Sequence, residues 1–583
     1  MKGRDPTVIR RLTAVLTALL LVCGLAAAPV FAGAQKPIAT LTQVSPEAVP
    51  FAAKAQLPAA KPMKVETAKA GGATFGAVRA DKLEAGLAAK VDAGAIGANE
   101  LIDVLVTTNT DPAVLSNKLA GMQIGKTFSH ALNGFSAKVT RAQLAQLQAM
   151  GEVRSIGLNG QVTVSDDGAS YWTGATEVRQ ALGITGDGDG WRSRYSKRDV
   201  VIAIVDTGID TGHKDLAGKV IGWKDMVNGW TTPYDDHGHG THVSGIAAGA
   251  GVANPAMAGV APGAALVGVK VLDSSGSGTF DQVIAGVDWV VANKDTYHIR
   301  IMSMSLGAWG SSDGQDALSQ AVNGAADAGI VAVVAAGNAG PWNYSVSTPA
   351  AAEKAITVCA MMDPARAGWT LAWFSSRGPT ADNRVKPDIC APGYNISAPM
   401  AGTTNKYVAM SGTSMATPFI SGVAALLLEV DPYLTVDEVK QLLYSTADHY
   451  GVEGQNYDFG YGRVNAYRAV TEAMGMAGDA PANSPIHGTA ESSLTSGAGE
   501  WWVIPVTDTK IPIGLTMLMN DAMDRYYDLD MYLYDPDGYL VDYSFGVDRQ
   551  ETINYRPVKK GTYFIRVVSY TGSGSYSLDA SWR

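Results

Sequence analysis

Cysteine, histidine and charge are all scarce in this chain. Its 583 residues hold 3 Cys and 8 His, and Asp, Glu, Lys and Arg together make up 17%. The formal net charge is −10, which favours solubility and gives no basic surface for nucleic acid. Long apolar runs are also lacking, with one exception at residues 12–28, so no second segment offers a membrane span. What is abundant is apolar and small: 46% hydrophobic residues and 65 Gly. That composition excludes wholesale disorder and fits a globular chain rich in tight turns. A chain this long predicts roughly two to four folding units.

The one apolar run follows Lys2, Arg4, Arg10 and Arg11 and precedes Val30-Phe31-Ala32, a small-residue cleavage pattern. Residues 1–32 therefore read as a secretory signal, and the product is expected to be secreted, soluble and without a stable membrane anchor. Val22 ahead of Cys23 is not the small residue that lipoprotein processing needs. Beyond the signal only Cys359 and Cys390 remain. An oxidising compartment permits them to pair. Nothing in the sequence brings their strand-like segments together, so two buried thiols are the expectation.

Residues 33–80 are rich in Ala, Lys, Pro and Gly without a sustained period and read as a flexible lead-in. From 81 to 165 the pattern changes. Leu83, Leu87 and Val91 space like one face of a helix, residues 101–106 read as a strand, and 112–121 as helical. Strands at 134–139 and 153–158 flank a helix at 140–150 that Thr140 can cap. A β-α-β-β-α-β order suits a small ferredoxin-like α+β module. Residues 170–475 alternate buried strands (200–205, 265–271, 301–305, 330–335, 356–360) with helical stretches such as 280–293 and 316–328. This predicts a doubly wound α/β domain with a mostly parallel sheet. Residues 476–489, with Pro481, Asn483 and Pro485, read as a linker. Residues 490–583 hold many short strands broken by Gly, Asp and Pro, predicting an all-β sandwich or jelly roll.

Three segments of the α/β region carry chemistry. Val205-Asp206-Thr207-Gly208 closes a buried strand, His239-Gly240-Thr241-His242 opens a helix through 243–248, and Gly412-Thr413-Ser414-Met415-Ala416-Thr417-Pro418 precedes an apolar helix at 419–428. Together they supply the acid, imidazole and hydroxyl that turn a weak alcohol into a nucleophile. His237, His239 and His242 fall close together, but their spacing is not a usual zinc arrangement and no cysteine pair completes it. In this order and these frames, the segments resemble the subtilisin-like serine proteases (subtilases), over residues 195–470.

The resemblance implies Asp206, His239 and Ser414 as a catalytic triad. Asn338, after Ala335-Ala336-Gly337, is implied as the oxyanion donor. It implies that Ser305-Leu306-Gly307 and Gly276-Ser277-Gly278, with Gly337, grip an extended peptide through the backbone. Residues 338–352 are implied as a pocket wall without Asp or Glu, with Trp342 and Tyr344 as candidate shapers, so selectivity is expected to be broad. Residues 81–165 resemble the family's propeptide, an intramolecular inhibitor and folding aid, which implies an autoprocessed zymogen cut between 158 and 170. Asp215 stands where a family calcium ligand is expected, but residues 253–258 lack a convincing set of oxygen donors. The tail resembles the C-terminal domains appended to secreted peptidases. Its Asp528, Asp530, Asp535 and Asp537 read as a structural Ca²⁺ site or, for the last two, a metal-free turn. No cofactor is expected for catalysis, and the partners expected are protein or peptide substrates and the propeptide, with the enzyme a monomer. An inert surface-binding protein and an esterase are the competing classes; the intact site segments and the peptide-gripping segments oppose them respectively.

Overall fold

Seven parallel strands form the centre of the molecule, in the order Val220–Asp225, Ala265–Lys270, Val201–Asp206, Ile299–Met304, Val331–Ala335, Ile356–Met362, Ile389–Tyr394. The computed structural model describes residues 39–49, 74–75, 82–83, 87, 91, 101–115, 118–119, 121–130, 132–159, 161–163, 173–191, 194–362, 370–452, 454–476, 478, 486–520, 527–546 and 548–583. The signal, and residues 160 and 164–170 of the 158–170 stretch expected to contain the processing site, lie outside the described residues. The central strands are apolar on both faces because both faces are covered. Ile202 and Ile204 point into one core with the serine helix Thr413–Val430 and the histidine helix His239–Ala248. Val201, Ala203 and Val205 point into the other, under the helices Phe280–Ala292 and Ala317–Asp327. The serine helix is long and apolar enough to cross a membrane, yet it is the buried centre of this domain. The five predicted strands are all present. The edge strand Val220–Asp225 was not foreseen, because Gly222 and the half-buried Trp223 and Lys224 break the apolar run.

Cys359 and Cys390 are not free thiols. They face each other on neighbouring parallel strands, 4.4 Å apart at Cα, and form a disulfide. Strand order, which spacing alone does not reveal, is what brings them together.

The propeptide-like module is a four-stranded antiparallel sheet in the order Gln123–Phe128, Gly134–Val139, Ile102–Thr108, Val153–Leu158. Its helix Arg141–Ala149 opens on a capping box formed by Thr140 and Gln143. Leu83 and Leu87 are buried in this module's core, with Val91 packed against it. Leu105 and Phe128 on its other face enter the core beneath Phe280–Ala292, each burial contributing roughly 1.5–3 kcal/mol. Asn159 locks the join, accepting from Asp281 N at 2.9 Å and donating to Asp281 Oδ1 at 3.1 Å.

The C-terminal domain is a sandwich of two five-stranded sheets. The predicted linker ends earlier than expected, because Ile486–Leu494 is already a strand; its sequence is polar enough to hide a strand that buries only Gly488, Ala490 and Leu494. Residues 39–44 of the lead-in, expected to be flexible, supply the outermost strand of each sheet. The sandwich is joined to the α/β domain through a buried network. Asp458 accepts from Arg377 Nη1 at 3.1 Å and from Arg549 Nη1 at 2.7 Å. Burial opposes its charge, but the two guanidiniums outweigh that and hold its carboxyl down at about 2.

Candidate active site

Asp206, Ser305 and Asn338 come from the carboxyl ends of three adjacent strands, where an open α/β sheet presents its ligands. Asp206 Oδ1 lies 2.8 Å from His239 Nδ1, and both side chains are fully buried. This pairing needs two glycines. A Cβ on Gly240 would stand 2.0 Å from the Gly208 carbonyl oxygen, so only glycine lets the histidine helix approach the turn after Asp206. Asp235 orders the entry to that helix. Its Oδ1 accepts from Thr207 Oγ1 and the His237 and Gly238 amides, and its Oδ2 from the Thr241 amide and hydroxyl. Burial works against this carboxylate, but those bonds outweigh it and keep its pKa below the usual range. Lys270 Nζ, wholly buried, donates to Thr207 O at 2.6 Å and Leu272 O at 2.8 Å, fixing the same turn. His242 is structural: its Nε2 lies 2.9 Å from Ile396 O, and burial pushes its pKa down to about 3.

Ser414 sits inside the first turn of its helix, which begins at Thr413 rather than after Pro418 as the sequence suggested. Proline tolerates this position at a cost: it has no N–H to give the carbonyl four residues back, which is that of Ser414. Ser305 supplies the missing donor. Its buried Oγ donates to Ser414 O at 2.7 Å, while Ser414 Oγ donates to Ser305 O at 3.2 Å. The side chain of Ser305, named in the sequence only for its backbone, therefore positions the candidate nucleophile. The signal that could have revealed this was Pro418 itself.

Asn338 is held by the same helix entry. Its Oδ1 accepts from Thr413 N at 2.9 Å and Thr413 Oγ1 at 3.1 Å, which fixes Nδ2 as the outward donor. A Cβ on Gly412 would lie 3.4 Å from Asn338 Nδ2 and 3.6 Å from Ser414 Cβ, in the space where an oxyanion would develop. Ser414 and Asn338 line an open pocket of about 410 Å³, together with Leu306, Gly307, Gly337 and Trp309. Among the described residues, no charged one lines it. Trp309, not Trp342 or Tyr344, is its aromatic member; the Tyr344 hydroxyl instead donates to Asn383 Oδ1.

The segment expected as the second gripping edge is paired with another strand. Ser277–Thr279 pairs antiparallel with residues Gln161–Thr163 of the pro-segment, Gly278 opposite Val162 and Ser277 opposite Thr163. Gly276 makes the turn before it.

The four tail carboxylates do not converge. Asp535 and Asp537 are bridged by Lys559 Nζ, at 2.7 and 2.5 Å, and Asp535 Oδ1 accepts from the Asp537 and Tyr539 amides. That is a turn closed by its own lysine. Asp528 and Asp530 instead lie near Glu551, a residue sequence reasoning missed. Burial, then Asp530, pushes Asp528 up to about 6; burial, then the two aspartates, pushes Glu551 up to about 8. Among the described residues, Asp528 Oδ1 and Glu551 Oε1 are buried with no hydrogen-bond partner. In the α/β domain Asp215 is engaged by Ala253 N and the Tyr407 hydroxyl. Asp187, Asp189 and Asp199 bring three carboxylates within 4.8 Å of one another. All three cap amides of their own loop.

This constellation of acid, imidazole, serine and asparagine at one sheet edge defines a class that comparison with known proteins makes specific. Residues 197–462 match the subtilase family, 100–165 peptidase inhibitor I9, and 509–569 the bacterial pre-peptidase C-terminal domain. The chain is 42% identical over 369 residues to serine protease AprX of Bacillus subtilis (strain 168), covering 59% of this chain and 80% of that protein. It is 39% identical over 269 residues to thermitase of Thermoactinomyces vulgaris, covering 46% and 88%. With subtilisin DY of Bacillus licheniformis the identity is 36% over 277 residues, covering 47% and 92%. The chain belongs to the subtilase family and is a serine endopeptidase, with an inhibitor domain before the catalytic domain and a pre-peptidase C-terminal domain after it.

Proposed function

We propose that this protein is a secreted, monomeric, autoprocessed endopeptidase of broad specificity in which Ser414, His239 and Asp206 act as the triad. The observation that carries this reading is the 2.8 Å Asp206–His239 pair at the sheet edge that also presents Ser414 and Asn338 to an uncharged pocket. Asp206 holds the imidazole with Nδ1 protonated, leaving Nε2 to take the proton from Ser414 Oγ as that oxygen attacks the peptide carbonyl. Asn338 Nδ2 and the Ser414 amide donate to the oxyanion. His239 returns the proton to the leaving amine, and water then attacks the acyl-enzyme by the same relay. Main-chain pairing along Ser277–Thr279 reads no side chain, and the pocket lining holds no charge to select Lys or Arg, which supports broad specificity. Because Gln161–Thr163 occupies that edge, self-cleavage falls downstream of Thr163.

A calcium ion in the C-terminal domain belongs to the same reading. The orphaned oxygens of Asp528 and Glu551, with Asp530, fit a hard cation; the Lys559-bridged pair does not. The ion would neutralise this cluster and strengthen the sandwich, with no part in catalysis.

A fluorophosphonate probe tests the assignment. One label per mature enzyme, absent from Ser414→Ala and from protein still carrying its inhibitor domain, is expected. Labelling that persists in Ser414→Ala would overturn it.

A further inference from the structure

Residues 39–49 bind the C-terminal domain in a way that the signal and propeptide roles do not require. Ala39–Thr40 runs parallel to Ile486–Leu494, with Ala39 opposite Gly488, and Leu41 N donates to Thr489 O at 3.1 Å. The chain then crosses to the other sheet. There Thr42–Val44 pairs antiparallel with Gly499–Val506, Gln43 opposite Trp502, and Gln43 Nε2 donates to Glu500 Oε2 at 2.5 Å. At the crossing Leu41 drops between the sheets, 4% exposed, into the core with Trp502, Ile504 and Tyr576. After the turn Pro46–Ala48, Val49 covers the outer aromatic face made by Trp501, Tyr532, Tyr534 and Phe564. One short peptide thus fills two apolar seats and two lines of main-chain hydrogen bonds, the mode of strand addition to a sheet edge.

We propose that the paired edges Ile486–Leu494 and Gly499–Val506 are a strand-acceptor site for residues 39–49, through which the C-terminal domain holds the pro-segment at a further point outside the substrate cleft. This rests on the zymogen reading. A cut downstream of Thr163 leaves residues 39–49 on the severed pro-segment and their acceptor on the enzyme. The pro-segment then stays bound through its inhibitor-domain face, through Gln161–Thr163 on the cleft edge, through Thr74–Phe75 beside Ser311–Ser312, and through this strap. Linking the strap to the other contacts holds the pro-segment about 10²–10⁴ more tightly than those contacts would without it. Departure of the strap bares two strand edges and two apolar seats, a state that disfavours release. The C-terminal domain therefore acts as a brake on activation.

The test compares full-length wild type with a Leu41→Asp/Gln43→Pro variant, following the N-terminal cut, casein hydrolysis and gel-filtration co-elution together. In wild type the cut pro-segment is expected to co-elute with the enzyme and activity to lag behind cleavage. In the variant the lag shortens at least tenfold and the pro-segment separates. A second arm needs no variant to fold: mature enzyme blocked at its serine is titrated with a synthetic peptide of residues 36–50. Saturable binding, lost when the peptide carries Leu41→Asp, is expected. Lags within twofold of each other, or a peptide that does not bind, would overturn the proposal. Absence of hydrolysis under every condition would instead defeat the zymogen reading, while the peptide arm still reads the strap.

Discussion

Removing the Ser305 hydroxyl is expected to cripple the serine without touching any group that contacts substrate chemically. Pro418 deprives the Ser414 carbonyl of its helical donor, and Ser305 Oγ replaces it at 2.7 Å in a site 1% exposed at Ser305. In Ser305→Ala that carbonyl stays buried with this donor gone, a loss of about 1–3 kcal/mol. Part of it will be recovered by movement of the first turn, carrying Ser414 off its line to the pocket and lowering kcat by roughly 10–100-fold. The reasoning is sharpest as a double-mutant cycle. Pro418→Ala restores an N–H four residues beyond Ser414, so Ser305→Ala should cost about 1–2 kcal/mol less in that background. The assay is kcat/KM on a chromogenic peptide, with thermal unfolding followed on serine-blocked protein to suppress autolysis. Additivity of the two substitutions within about 0.3 kcal/mol would refute the compensation.

Asn338→Leu should lower kcat by about 10²–10³ with little change in KM; that magnitude is the one measured for the equivalent donor in subtilisin, not one worked from these distances. Asp235→Ala removes the acceptor for five hydrogen bonds at the histidine helix, and kcat and unfolding temperature should fall together, with Asp235→Asn recovering part of both. Acid should destabilise the protein in two steps. His242 resists protonation when folded, near 3 against an ordinary 6.5. The unfolded chain therefore gains protons first, and stability falls from pH 6.5 to 3 by up to about 1.4 kcal/mol per unit. Asp458, held near 2 against 3.8, adds stability that is complete above pH 3.8 and disappears as pH falls through 2. Unfolding of Ser414→Ala between pH 7 and 3 should flatten with His242→Gln, and an unchanged slope would contradict the first step. Calcium should raise the unfolding temperature of Ser414→Ala, an effect lost in Asp528→Asn/Glu551→Gln and kept in Asp535→Asn.

The catalytic domain was legible because its strands are buried on both faces, and continuous apolar runs such as Val331–Ala335 leave few alternatives. The segments that bring Asp206, His239, Ser414 and Asn338 to one sheet edge were legible because each carries a glycine frame that is local in sequence. What stayed hidden depends on long-range pairing. The Cys359–Cys390 bond follows from strand order, and the role of the Ser305 hydroxyl from a helix register 109 residues away. Glu551 joins Asp528 and Asp530 from a different strand of the sandwich. Residues 39–49 carry too little apolar character to announce strands; Leu41 and Val49 become informative only once their seats exist. The polar strand Ile486–Leu494 was lost for a related reason, since three buried residues in nine give no alternation to detect.

The most direct test follows purified full-length wild type and Ser414→Ala over time, measuring intact mass and casein hydrolysis in the same samples. Wild type is expected to lose its N-terminal segment by a cut after Thr163 and then become active, while Ser414→Ala stays whole and silent. Equal processing of both proteins, or hydrolysis by Ser414→Ala, would contradict the assignment of Ser414 as the nucleophile.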